Sequence, residues 1–160
     1  MTDPSECRMR EYLSDLLKET VRTFIQDIEA LPESALSASP GGVARAPFAF
    51  ISECAGFARL VRANLLGQPH ERPGEEAEAA ATATMTKSGA IAMVREASDA
   101  LLEAWNGLPS EDLAKMVPGF GGDLPAYMMV GYVSQHFAYH DGQLNYIQAM
   151  QGDGAIHWSD

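Results

Sequence analysis

The sequence predicts an all-α protein, a four-helix bundle with long connections between its helices. In four segments, apolar residues recur every three or four positions, as they do along one face of a helix. The intervening segments are rich in proline and glycine, and no stretch of useful length has the alternating pattern of a strand. The chain has 160 residues, so we expect residues 1–160 to form a single domain.

The first helix is predicted over about residues 4–30. Asp3 is a suitable N-cap, Pro4 fits the first helical position, and Pro32 ends the pattern. Its apolar face is formed by Met9, Leu13, Leu16, Leu17, Phe24 and Ile28. The following residues, 32–46, contain prolines, glycines and serines and predict a loop.

The second helix is predicted to begin at Pro47 and to end at Gly67, which is a typical C-cap residue. Residues 67–83 contain a cluster of charges and predict a surface connection. The third helix is predicted over about residues 84–106, and Gly107 ends it.

The fourth helix follows a glycine-rich connection over residues 107–123. We expect Asp123 to cap this helix and Pro125 to lie in its first turn, with the helix continuing to Gly152. Inside it, Gly142 costs about 1 kcal/mol relative to alanine. We therefore expect a neighbouring backbone or a pocket to lie close to Gly142.

Composition excludes several classes of function. The net charge is −11 and the basic residues are scattered singly, so a nucleic-acid partner is not expected. Two cysteines are too few for a disulfide scaffold. The sequence has neither a signal-peptide pattern nor an apolar run long enough to span a membrane. We therefore predict a cytoplasmic protein without a membrane partner.

Two histidines lie in the middle of an otherwise apolar stripe of the last helix. At helical spacing the stripe reads Met129, Val133, His136, His140, Leu144 and Ile147. Because His136 and His140 are four residues apart, their side chains lie on one face of the helix. Imidazoles spaced in this way can bind one metal ion together. The alternative is a pair of core histidines that hydrogen-bond to Tyr, Gln or backbone groups.

Residues next to this pair could orient the imidazoles. Gln143 and Asp141 are candidates, because metal-binding histidines commonly donate their second N–H to a polar group. However, Asp141 directly follows His140 and points elsewhere on the helix, so we expect it to be a solvent-exposed charge.

The last helix also resembles a known family motif. The run Tyr-His-Asp-Gly-Gln-Leu-Asn-Tyr at residues 139–146, ahead of Gly152, is similar to the last-helix motif of the DinB-like family, which includes YfiT-type proteins. The resemblance covers nearly the whole chain and is strongest over residues 132–152. It implies a four-helix bundle, commonly a homodimer, that binds one divalent metal through three histidines. Two of these match His136 and His140.

The third ligand departs from the family pattern. Counting back from Gly67, the histidine of the second helix would fall near Glu53 or Cys54. Glu53 is our preferred third ligand, because two histidines and a carboxylate form a known site for zinc or iron(II). It could instead form an ion pair with Arg59 or Arg62. Cys54 is the alternative third ligand, or a small buried apolar residue.

The resemblance and the histidine pair together predict a metal-dependent enzyme. In the family, some members are transferases or isomerases that use a low-molecular-weight thiol, and others are hydrolases. We therefore expect a small-molecule substrate, a divalent zinc, nickel or iron ion, and a homodimer. The alternative is a non-catalytic dimeric bundle, or a small-molecule-binding stress protein, that has lost the metal site. The missing histidine of the second helix favours this alternative.

Overall fold

The computed structural model describes residues 4–158, and the side chains of residues 8–158. The predicted all-α bundle is confirmed. The four long helices are α1 (Pro4–Ala30), α3 (Pro47–Leu66), α5 (Lys87–Gly107) and α6 (Ala126–Met150). Two shorter helices, α2 (Glu33–Ser37) and α4 (Glu75–Ala83), lie in segments predicted as connections, and Ser110–Asp112 form one 3-10 turn.

Local signals place most helix ends where the sequence predicts them. Helix α1 has the predicted limits, and α3 ends before Gly67, whose φ of 63° is readily adopted by glycine. Helix α5 begins three residues later than predicted, because the Thr86 hydroxyl accepts a hydrogen bond from the N–H of Gly89 at 3.1 Å.

The predicted cap of the last helix is wrong. Asp123 lies in a strand, and α6 begins at Ala126 after Pro125. The N–H of Ala126 donates instead to the carbonyl of Lys115 at 2.8 Å, which satisfies a donor that the helix itself leaves unpaired.

The connection before α6 contains a β-hairpin that the sequence analysis did not predict. Strands β1 (Met116–Gly119) and β2 (Gly122–Pro125) pair antiparallel. Each has four residues and includes a proline, and Val117 is the one fully buried residue of the pair, so no alternating pattern is visible. The hairpin places Phe120 at its tip, next to α3, where the Asn64 amide donates to the Pro118 carbonyl at 2.8 Å.

The four long helices pack around one apolar core. Helices α1 and α3 each contact both α5 and α6. Contacts such as Phe24 with Phe137, and Asp27 with Asn145, show that α1 and α6 run in the same direction. Phe50 contacts His140 and Phe57 contacts His136, so α3 runs opposite to α6. Within residues 4–158, no helix is long and apolar enough to cross a membrane.

The C-terminal tail docks on the bundle. The Trp158 indole N–H donates to the Asp27 carboxylate on α1 at 2.8 Å, and the Gln148 amide of α6 donates to the Ala155 carbonyl at 3.0 Å. His157 lies 2.9 Å from Asp153 and is therefore held within the tail. The tail thus covers one side of the α1–α6 contact.

Candidate metal centre

The predicted histidine pair faces helix α3. His136 and His140 lie one turn apart on α6, with ring centroids 4.7 Å apart. The His140 side chain is almost completely buried and the His136 side chain is one-quarter exposed. Phe50 of α3 stacks on His140, with centroids 4.9 Å apart, and Phe57 contacts the edge of His136. The two imidazoles are therefore held between α3 and α6 by aromatic neighbours.

One nitrogen of each ring is buried without a hydrogen bond. The Nε2 atoms of His136 and His140 are buried and make no hydrogen bond. Nδ1 of His140 lies 2.7 Å from Oε1 of Gln143, which can only accept, so Nδ1 donates and the neutral ring carries its lone pair on Nε2. The predicted orienting role of Gln143 is consistent with this geometry.

Glu53 lies against both of these nitrogens. Its Oε1 is 3.5 Å from Nε2 of His136 and 3.8 Å from Nε2 of His140. Its other oxygen, Oε2, accepts a hydrogen bond from Arg45 in the loop before α3. The ion pair with Arg59 or Arg62 considered from the sequence is not formed: Arg59 instead lies 3.7 Å from Glu96.

Cys54 approaches the same centre from the core. Its side chain is completely buried, and its Sγ and one nitrogen from each of His136 and His140 all lie within 4.8 Å of one another. Glu53 is one-third exposed and therefore borders the centre on the solvent side. The structure thus brings both predicted third ligands to the histidine pair.

Burial and charge set the protonation states of the centre. Burial lowers the pKa of both His136 and His140, which favours the neutral rings that bind metals. Burial alone would raise the pKa of the Glu53 carboxyl, but the hydrogen bond and charge of Arg45, and then the histidines, lower it overall. Burial, followed by the Glu53 charge, raises the pKa of the Cys54 thiol well above its ordinary value.

The spacing of these groups fits a small divalent ion. Donor atoms about 2.1 Å from a tetrahedral metal lie roughly 3.4 Å from one another. The separations of 3.5 and 3.8 Å between Oε1 of Glu53 and the two Nε2 atoms are close to this value. Two neutral imidazoles and one ionised carboxylate also form a donor set that zinc, nickel and iron(II) accept.

Two expectations about the same helix are wrong. Asp141 is not solvent-exposed but 6% exposed, and it faces Asp27 of α1. The sequence could not show this, because the residue that α1 places opposite is not visible from α6 alone. Gly142 has no close neighbour: a Cβ there would meet no atom within 4 Å, and the residue is exposed.

Sequence reasoning also missed Arg45, which lies eight residues before Glu53 in a segment predicted as a loop. The available signal was its position as the one basic residue between 32 and 46.

Comparison with known proteins supports the fold. No protein-family model matches the sequence, and no curated protein is significantly similar to it. Among solved structures, a conserved protein from Enterococcus faecalis has a TM-score of 0.73 at 11% identity, covering 89% of this chain and 97% of that one. A DinB-like protein, YjoA, from Bacillus subtilis has a TM-score of 0.63 at 11% identity, covering 91% and 95%. The chain has the DinB-like fold.

A mycothiol-dependent maleylpyruvate isomerase has the same fold over part of its length. Its TM-score is 0.70 at 16% identity, and the match covers 84% of this chain. The chain spans 60% of the isomerase. The DinB-like fold is thus shared with proteins of similar length and with part of a larger enzyme.

Proposed function

We propose that the chain is a metal-dependent enzyme of the DinB-like family, which holds one divalent ion through His136, His140 and Glu53. The observation that carries this proposal is the pair of buried Nε2 atoms without hydrogen-bond partners, both within 4 Å of one oxygen of Glu53. The likeness to a mycothiol-dependent isomerase supports a thiol-dependent transferase as one reaction type, and a hydrolase is the other.

A bound ion would compensate for a cost that the protein alone leaves uncompensated. A buried polar group without a partner costs about 1–3 kcal/mol, and two such nitrogens lie beside Oε1 of Glu53 here. Two imidazoles and a carboxylate occupy three positions of a tetrahedral ion and leave one open for a small molecule. This donor set supports zinc, nickel or iron(II) as the ion.

The surrounding residues would keep the centre ready to bind the ion. Arg45 holds Glu53 through Oε2, so that Oε1 faces the histidines as an ionised carboxylate. Gln143 keeps the lone pair of His140 on Nε2, and Phe50 shields that ring from water. When bound, a divalent metal supplies Lewis acidity, which lowers the pKa of a thiol or water beside it.

Metal content tests this proposal. The protein would be purified without a histidine tag or chelator, incubated with zinc, and analysed for bound metal. We expect about one ion per chain in the wild type, none in His140→Ala, and a marked loss in Glu53→Gln. His157→Ala is the matched control, because His157 lies in the tail, paired with Asp153.

Other results identify a different centre. Metal retained in Glu53→Gln but lost in Cys54→Ser would make the thiolate the third ligand. A wild-type protein that binds no zinc, nickel, manganese or iron(II) would overturn the proposal in favour of a non-catalytic bundle. The homodimer and the cytoplasmic location stay predictions from the sequence.

A further inference from the structure

We propose that the metal centre takes a small organic anion that carries an apolar group. In this arrangement Arg45 binds the anionic group, and Phe120 together with Phe57 contacts the apolar group. The inference rests on the proposed function, because it names the substrate class of the same centre.

Arg45 is a cation with free hydrogen-bond donors beside the histidines. Its side chain is 55% exposed, and it donates from Nη1 to Glu53. It makes no other hydrogen bond or ion pair with the residues that the structure describes. A guanidinium has five N–H donors in a planar fork, so the remaining donors can bind a carboxylate or phosphate. On a chain of net charge −11, this cation offers an anion a local favourable contact.

Phe120 is an exposed aromatic residue next to the same centre. It lies at the tip of the β1–β2 hairpin and is 67% exposed. Its ring centroid is 5.2 Å from that of Phe57, which in turn is 5.2 Å from that of His136. The hydrogen bond from Asn64 to the Pro118 carbonyl holds the hairpin against α3. The apolar ring is thus kept at the edge of the centre, where it can contact a ligand.

The cation and the aromatic pair reach the centre through different residues: Arg45 through Glu53, and the aromatic pair through His136. Phe57 and Phe120 lie at the end of His136. Arg45 comes just before α3, at the end where Phe50 stacks on His140. Glu53 and His136 connect them, because Oε1 of Glu53 lies 3.5 Å from Nε2 of His136. A ligand held at both ends would therefore place its middle atoms beside the metal ligands.

Three related probes separate the two contacts. They are 3-phenylpropionate, its neutral amide, and propionate, which lacks the ring. Dissociation constants would be measured by isothermal titration calorimetry for the zinc-loaded and the metal-free protein. We expect 3-phenylpropionate to bind about tenfold more tightly than the amide, which lacks the charge-assisted hydrogen bonds. It should also bind about tenfold more tightly than propionate, which buries no ring.

Three substitutions and two matched controls assign each contact. Arg45→Gln should abolish the preference for the acid over the amide, and Arg45→Lys should keep part of it. Phe120→Ala should abolish the preference for the ring. Arg62→Gln and Tyr146→Ala are the controls: Arg62 lies in a groove of about 420 Å³ between α3 and α5, and Tyr146 is an exposed aromatic on α6. Both controls should bind like the wild type.

Zinc content measured in the same samples keeps this inference separate from the proposed function. A zinc-loaded wild type that binds acid and amide equally, or an Arg45→Gln variant that keeps the preference, would overturn the inference alone. If the acid binds only through the metal, the Arg45→Gln variant will keep its preference for the acid. A protein that binds no zinc yet prefers the acid through Arg45 would overturn the metal centre and retain the anion site.

Discussion

Helix α6 carries two buried polar clusters on different sides, and they differ in the groups that the other helices place against them. Toward α3, His136 and His140 present two nitrogens that no protein group donates to. Toward α1, Asp141 meets Asp27, so that two acidic groups share one buried site. The two clusters are neighbours along the same helix, since Asp141 directly follows His140.

The aspartate cluster is only partly hydrogen-bonded within the chain, because Oδ1 of Asp27 and Oδ1 of Asp141 are buried without a hydrogen-bond partner. Oδ2 of Asp27 accepts hydrogen bonds from the Asn145 amide at 2.6 Å and from the Trp158 indole at 2.8 Å. Burial, followed by the hydrogen bond and charge of Asp27, raises the pKa of Asp141 to about 8. At neutral pH Asp141 therefore keeps its proton and can donate it to Asp27. This cluster joins α1, α6 and the tail.

In the histidine cluster, by contrast, neither Nε2 atom takes part in a hydrogen bond with the chain. Nε2 of His140 is an acceptor because Nδ1 of that ring donates to Gln143, Nε2 of His136 is an acceptor in the tautomer that carries its proton on Nδ1, and the Glu53 carboxylate is an acceptor as well. A cation can satisfy all three at once, whereas one proton can satisfy only part of the cluster. The comparison therefore favours a structural role for the aspartate cluster and a ligand-binding role for the histidine cluster.

The largest expected effect concerns the proton of the aspartate cluster. Because the pKa of Asp141 is higher in the folded chain than its ordinary value of 3.8, the folded chain holds more protons between about pH 4 and pH 8. The contribution of Asp141 to stability is thus fully present near pH 4 and is lost as the pH rises to about 8. Relative to Asp141→Asn, the wild type should lose about 6 kcal/mol of unfolding free energy across this window.

Urea unfolding at several pH values, with a chelator present, measures this loss. Asparagine can still donate to Asp27 but does not titrate, so it is the matched reference. The lowered pKa values of His136 and His140 reduce stability at acid pH in both proteins and cancel in the difference. Parallel pH profiles for the two proteins would show that Asp141 does not hold the proton.

The two clusters also show how far sequence reasoning reaches. Periodicity predicted α1 over its observed range, and it predicted the histidine pair because four-residue spacing within one helix fixes which side chains share a face. Contacts between residues of different helices could not be predicted in this way. The environment of Asp141 depends on Asp27, more than one hundred positions away, and no spacing rule connects them.

Short segments were the second source of error. The β1–β2 hairpin is too short and too poor in buried residues to give an alternating pattern, and it was predicted as a loop. The position of Phe120 next to Phe57 therefore could not be predicted either. Arg45 reaches Glu53 across the end of a loop, where local propensity does not determine the direction of a side chain.

A smaller effect tests the histidine cluster through Gln143. Replacing Gln143 with leucine removes the acceptor for Nδ1 of His140, so the ring can take the other tautomer. The zinc dissociation constant, measured by competition with a chromophoric chelator, should rise about 10- to 100-fold. Gln143→Glu keeps an acceptor at this position and should bind zinc at least as tightly as the wild type. Equal zinc affinity in all three proteins would show that Gln143 does not orient His140.

The smallest effect concerns the exposed face of α6, which belongs to neither cluster. A Cβ at Gly142 would meet no atom within 4 Å, so Gly142→Ala should raise the unfolding free energy by about 0.5–1 kcal/mol through helix propensity alone. Gly67→Ala is the contrasting variant, because its φ of 63° disfavours alanine and should make the change destabilising.

Thermal unfolding at two protein concentrations tests whether this face is free in solution. A melting temperature that rises in Gly142→Ala at both concentrations would match an uncovered helix. If alanine lowers the melting temperature, and more so at high concentration, then a second chain packs on this face and the added methyl group disturbs the contact. In that case the predicted homodimer uses the outer side of α6, and the helix has three distinct faces: one that meets Asp27 of α1, one that meets Glu53 of α3, and one that meets the partner chain.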